Sequence, residues 1–164
     1  MIGIPYQQQD QNYSGINNNY NSFMITVCIP SLNRKESLMT LLSYYSEYGF
    51  NHKIFVGISD SLEVFEELLT FKNNLLISDN ISFFHAPNLG VLETLNFLLT
   101  KVSTKYCIFQ SDDDFLINDS LSEMQKILDQ YEGYIGVNAK ALILNESTGE
   151  LSNYHMRGIY LYSE

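Results

Sequence analysis

Basic side chains are scarce in this 164-residue chain: 9 Lys and Arg stand against 19 Asp and Glu, for a formal charge of -10 and a pI near 4.6. Such a surface repels a nucleic-acid backbone or an anionic lipid face, so neither is expected as a main partner. Only two cysteines are present. Cys28 and Cys107 both lie inside apolar runs and read as buried thiols in a reducing compartment rather than as a disulfide. No apolar run approaches the ~20 residues of a membrane span, and the N-terminus lacks the basic-then-apolar order of a signal peptide. The expectation is therefore cytoplasmic, without a membrane span, and at most peripheral to a membrane through partners. Familiar catalytic signatures are missing as well. A Gly-x-Gly-x-x-Gly turn, a Gly-Lys-Ser/Thr loop and a Gly-x-Ser-x-Gly elbow are all absent, which removes dinucleotide-binding, P-loop and serine-hydrolase readings. The three histidines show no zinc spacing.

Residues 1–22 are rich in Gln, Asn, Tyr and Gly with no hydrophobic period, the composition of a disordered polar tail. From 23 to 164 the pattern is that of one domain. Met24 to Ile29 is an apolar strand stopped by Pro30. Asn33 and Glu36 then have the spacing of a helix cap, ahead of Leu38, Leu41, Leu42 and Tyr45 at helical intervals up to Gly49. A second unit follows with a strand over Lys53 to Ile58, a capping pair at Asp60 and Glu63, and a short helix carrying Leu62, Phe65, Leu68 and Leu69. A third strand, Ile81 to His85, leads through Asn88 and Gly90 into a helix with Val91, Leu92, Leu95, Leu98, Leu99 and Val102 on one face. The fourth strand, five residues in the apolar run that begins at Tyr106, leads into Gln110-Ser111-Asp112-Asp113-Asp114. Ser120 and Glu123 could cap a last helix with Leu121, Met124, Ile127 and Leu128. One or two strands are expected within Tyr134 to Leu144, and a turn at Ser147-Thr148-Gly149.

Strands alternating with helices imply an α/β fold, doubly wound, with a mostly parallel sheet and helices on both faces. That topology gathers Ser31, Asn33, Asp60, His85, Asn88 and Asp112 to Asp114 at the strand C-termini, where open α/β sheets bind ligands. Three adjacent carboxylates repel one another, and a hard divalent cation, Mn2+ or Mg2+, is the simplest way to offset that repulsion.

Pro30-Ser31-Leu32-Asn33-Arg34 after the first strand, Asn88-x-Gly90 with Asn96 six residues later, and Ser111-Asp112-Asp113-Asp114 ten residues after Lys101 together resemble glycosyltransferase family 2. The similarity covers roughly residues 24 to 131. It implies a GT-A fold with an Asp-x-Asp metal motif and transfer of a sugar from a nucleotide-diphosphate donor to an acceptor, here unknown. By the same resemblance Pro30 and Ser31 line the nucleobase pocket, with Asn33, Asn88 and Gly90 among the nucleotide-binding positions. Asp60 hydrogen-bonds the base, Asp112 approaches the ribose or the metal, and Asp114 is the main metal ligand. Two positions depart from the family: Ile58-Ser59-Asp60-Ser61 stands where paired acids and a glycine are usual, and Leu95 precedes Asn96 where a basic residue is common. The chain ends about 50 residues beyond the acids. None of Glu132, Glu146, Glu150 or Glu164 has the context of a general base, so the expectation is the donor-binding half of a transferase.

Each of these residues has a plainer role to set beside the functional one. The acids could form an exposed loop capping the next helix, and Asn33 and Asp60 are as well placed to cap helices as to bind a ligand. Asn88 and Gly90 could simply turn the chain, Gly90 relieving a backbone demand. His85 reads as a strand-end histidine packing its ring, while Arg34 could reach a phosphate or cover the sheet edge. The alternatives to a transferase are a catalytically silent nucleotide-binding or assembly module of the same fold and, less well matched, a receiver- or phosphatase-type acid cluster. Apolar surface left for a second half makes a homo-oligomer the further expectation.

Overall fold

The computed structural model describes residues 2–3, 24–131, 133–139, 141–145 and 147–154. The elements in chain order are β1 (Ile2–Gly3), β2 (Ile25–Ser31), α1 (Lys35–Glu47), β3 (Lys53–Ile58), α2 (Leu62–Lys72), β4 (Ile81–His85), α3 (Val91–Leu99), β5 (Tyr106–Phe109), α4 (Asn118–Gln130), β6 (Gly136–Val137), β7 (Leu142–Leu144) and β8 (Leu151–Asn153). β4, β3, β2 and β5 form a parallel sheet in that order. β1 and β6 add antiparallel strands beyond β5, and β7 pairs with β8 in a separate hairpin. Apart from Ile2 and Gly3, the span read as a polar tail lies outside the described residues.

The chain winds outward from β2 through β3 to β4, then returns to place β5 on the other side of β2. This reversal opens a crevice at the C-terminal ends of β2 and β5, the usual ligand position in such sheets. Side-chain alternation divides the core. Ile25, Val27, Ile29, Ile54, Val56 and Ile58 face Leu38, Leu41, Leu42 and Tyr45 of α1, Leu68 of α2 and Leu121, Met124 and Leu128 of α4. On the opposite face Cys28 and Phe55 meet Leu98 of α3. Helices thus cover both faces, as expected. The sheet leaves little room under α3: a Cβ at Gly57 would stand 2.3 Å from Thr94 Cγ2. Cys28 and Cys107 are buried and not joined in a disulfide, and burial, helped by the nearby Cys107, pushes the Cys28 thiol up to about 12.

Strands β3 and β4 have the expected bounds, β5 holds four residues where five were expected, and several finer expectations are corrected. Pro30 does not stop its strand, since β2 runs on to Ser31 with Pro30 opposite Gly57. Cys28 accepts the Gln110 N–H on the β5 side, so by alternation the missing N–H of Pro30 also faces that side, beyond the last β5 pairing at Phe109. No ladder bond is therefore lost. The caps differ too. α1 starts from Arg34 without a side-chain cap, because Asn33 is in the left-handed region at φ 56°. Ser61, not Asp60, caps α2 by accepting the Val64 N–H, and α4 starts from Ile117 rather than from a Ser120 cap. Gly90 is extended, and Asn88 takes the positive φ of that turn. Gly49, with φ 65°, stops α1 as expected. In α3 the inward residues are Thr94 and Leu98, whereas Val91, Leu92 and Leu99 are exposed and Val102 lies past the helix.

Candidate functional site

Two loops meet at the crevice. One leaves β2 as Ser31-Leu32-Asn33-Arg34, and the other leaves β5 as Gln110 to Asp114. Asp112 joins them: it is 3 % exposed, its Oδ2 accepts the Ser31 hydroxyl at 2.7 Å, and its Oδ1 lies 3.2 Å from Arg34 Nε. Both oxygens of the buried carboxylate are thereby occupied, which offsets its loss of hydration. Arg34 also binds Asp113, to which Ser111 donates its hydroxyl. The Ser111 bond, then the Arg34 guanidinium, hold the Asp113 carboxyl below the usual range, and the acids in turn raise the Arg34 pKa, the Asp113 hydrogen bond first among the causes. Asp114 is exposed like Asp113, but among the described residues its hydrogen bond is to its backbone carbonyl, from Gln110 Nε2.

The acid loop is tied to α1 from beneath. The fully buried Tyr45 donates to Gln110 Oε1 at 2.8 Å and accepts the Leu116 N–H at 3.1 Å. A buried phenol must find such partners. On the other side of Arg34, the left-handed Asn33 aims its N–H at Asp60 Oδ1, 2.9 Å away. The His85 ring packs tilted against Phe65 with centroids 4.9 Å apart and donates Nε2–H to the Asp60 carbonyl at 3.0 Å.

Arg34 separates two pockets. One of about 400 Å³ is lined by Asn33, Arg34, Lys35, Glu36, Ser37, Asp60 and Val64. A more apolar one of about 410 Å³ is bounded by Pro30, Leu32, Val91, Leu95 and Phe109, and closed by Arg34 and the Gln110–Asp112 turn. The structure therefore brings together Ser31, Asn33, Asp60 and Asp112 to Asp114. Pro30 lines the apolar pocket, and Ser31, Asn88 and Gly90 line neither, although Val91, the residue after Gly90, lines the apolar one. Arg34, whose role sequence reasoning left open, turns out to be the centre of the site. Gln110 and Tyr45 were not singled out. Their only signal was a polar residue at a buried strand end and a hydroxyl on an apolar helix stripe.

The oxygen chemistry of the acid run suits a hard divalent cation. Among the described residues, however, no group of three or more His, Cys, Asp and Glu is arranged to hold one. Asp114 has an uncommitted carboxylate, and Asp112 would have one only if Arg34 moved away. Also among the described residues, no helix is long and apolar enough to cross a membrane.

No protein-family model matches the chain. In sequence it is 34 % identical over 109 residues to the abequosyltransferase RfbV of Salmonella typhimurium strain LT2, a match covering 65 % of this chain and 33 % of that protein. Among solved structures it is similar to Staphylococcus aureus TarS residues 1–349, with TM-score 0.49 and 17 % identity over 66 % of this chain and 33 % of that one. The chain thus spans about a third of the length of the curated relative it matches. Over 65 % of its own length it is homologous to a glycosyltransferase, in keeping with the glycosyltransferase-like N-terminal part read from its motifs.

Proposed function

We propose that this chain binds the donor of a glycosyl-transfer reaction, a nucleotide-diphosphate sugar, and presents the sugar to an acceptor. The observation that carries the proposal is the position of Arg34, a half-exposed cation shared by two adjoining pockets of similar size. A ligand with a polar nucleoside at one end, a sugar at the other and a diphosphate between them matches that division, with the diphosphate against Arg34. The first pocket offers Asp60, already oriented by the Asn33 N–H, as an acceptor for donors on a base edge.

A divalent cation, Mn2+ or Mg2+, would be held by Asp114, with Asp112 as the second carboxylate nearby. When bound there the cation supplies neutralisation of the charge that develops on the leaving diphosphate. This chain's residues do the rest: Ser31 retains Asp112, and Tyr45 and Gln110 hold the acid loop in register.

A second reading, a nucleotide-binding module without turnover, is favoured by one observation. Asp112 and Asp113 share the Arg34 guanidinium and accept the hydroxyls of Ser31 and Ser111, so both acids have partners without a metal. The test compares uridine and guanosine diphosphates with their unphosphorylated nucleosides on the native chain and on Arg34→Met. Binding of a diphosphate that weakens about tenfold in the variant, with the nucleoside unaffected, is expected. Equal binding of nucleoside and diphosphate would remove the phosphate role from Arg34. Hydrolysis of a sugar donor by the chain, under conditions where it binds, would count against the module reading.

A further inference from the structure

We propose that His52 is a proton-sensitive pin for the far end of the acid loop: its neutral ring holds Asn118, and protonation releases Asn118 together with the loop. The loop is tethered along its length. Tyr45 holds Gln110 and Leu116, and Asn118, the first residue of α4, is held from the segment between α1 and β3. There the Asn51 N–H reaches Asn118 Oδ1 at 3.4 Å, and His52 makes a hydrogen bond to the Asn118 backbone. That segment is itself fixed. The Phe50 N–H bonds to the Tyr45 carbonyl at 2.9 Å, and Asn80 Nδ2 reaches the Phe50 carbonyl at 3.3 Å. Because the loop carries Asp112 to Asp114, the state of His52 sets how firmly the crevice keeps its acid wall.

His52 is 7 % exposed, and its ring meets Phe50 edge-on with centroids 5.3 Å apart. Among the described residues its Nε2 is buried without a hydrogen-bond partner. A backbone bond that favours the charged ring is one the ring donates, so Nδ1–H points to the Asn118 carbonyl and Nε2 keeps a bare lone pair. A proton arriving at Nε2 would create a buried donor and a buried charge, both without a partner. The N-terminal end of α4 is also a poor setting for a cation. Charged side chains on the elements around the ring are Glu47 of α1, Lys53 of β3, Asp79 before β4 and Asp119 of α4. Among the described residues none of them forms an ion pair with it. Burial, opposed by the Asn118 bond, holds the ring's pKa below its ordinary 6.5. To take a proton the ring must therefore leave its site, and leaving frees Asn118. The hold is complete above 6.5 and is lost as pH falls from there towards the folded value, because the open state binds the extra proton.

The test follows amide hydrogen exchange of the chain by NMR from about pH 8 down past 6.5. Each rate is corrected for the pH dependence of a free peptide, and residues 113–121 are compared with β2 and β3. Opening of the loop is expected to rise by up to about tenfold per pH unit below the ordinary histidine value, while the strands keep their protection. In His52→Asn, whose amide can take the place of Nδ1–H but binds no proton, that rise should vanish. Loop opening independent of pH in the native chain, or an undiminished rise in His52→Asn, overturns the proposal. If the variant does not fold, the ring resonances of native His52 decide. Titration below 6.5 accompanied by a shift of the Leu116 amide supports the pin, whereas titration at or above 6.5 with that amide unmoved overturns it.

Discussion

The hydroxyl of Tyr45 on α1 lies 2.8 Å from Oε1 of Gln110 at the end of β5, although the two residues are 65 positions apart. Because the same hydroxyl accepts the Leu116 N–H, one buried atom anchors both ends of the acid loop. Tyr45→Phe leaves the Leu116 N–H and the Gln110 carbonyl unpaired in a buried setting. It is expected to cost about 1–3 kcal/mol in urea unfolding. Unchanged stability would mean that water or a shifted loop replaces the phenol.

Gly57 and Thr94 set the distance between the sheet and α3. Gly57→Ala brings a Cβ to 2.3 Å from Thr94 Cγ2, and the expected cost of the overpacking is about 1–3 kcal/mol. Thr94→Ser removes that methyl while keeping the hydroxyl 3.1 Å from Ser59 Oγ. The double variant should therefore recover most of the loss, and strictly additive effects in this cycle would contradict the proposed clash.

The strands were legible because short β-branched runs between polar residues have few other uses. β3, with Ile54, Val56 and Ile58 facing one way and Phe55 the other, is an example. The parallel order followed from alternation with helices. The caps were less legible. Asn33 and Asp60 satisfied the spacing rule, but a backbone angle at Asn33 and a tertiary bond from its N–H to Asp60 decided the outcome. The site was half visible: the acids stood out, while their partner Arg34 did not, because its reach to Asp113 spans 79 positions and depends on β2 and β5 being neighbours. Pro30 misled for a similar reason, since whether it ends a strand depends on what lies beside its nitrogen.

Asp129 ties α4 to the base of β5, accepting bonds from Lys105 and from the Tyr106 hydroxyl at 2.6 Å. The Lys105 bond first, then that of Tyr106, lowers its pKa below 3.8. The folded carboxyl titrates lower than the unfolded one, so its contribution is present above the ordinary aspartate range and is lost as pH falls through the folded value. Asp129→Asn should thus be less stable than the native chain at pH 7, by no more than about 1 kcal/mol given its partial exposure. Unfolding measured as pH falls through the folded value should bring the two together. A difference that persists undiminished there would show that charge is not its source.

Both β7 and β8 are exposed along their length, with Leu142, Ile143, Leu144 and Leu151 all open to solvent. Such a hairpin offers an apolar surface and free strand edges. Self-association that rises with concentration is expected in sedimentation velocity, and Ile143→Lys should weaken it. A clean monomer at high concentration would contradict this.

Donor recognition is tested most directly by calorimetric titration with uridine and guanosine diphosphates, with and without Mn2+, on the native chain and on Asp114→Ala. Expected is binding of one nucleotide that strengthens with the metal, a gain that Asp114→Ala abolishes while leaving the fold intact by circular dichroism. Absence of binding by these two and by the cytidine and thymidine diphosphates, with and without Mn2+, would contradict it.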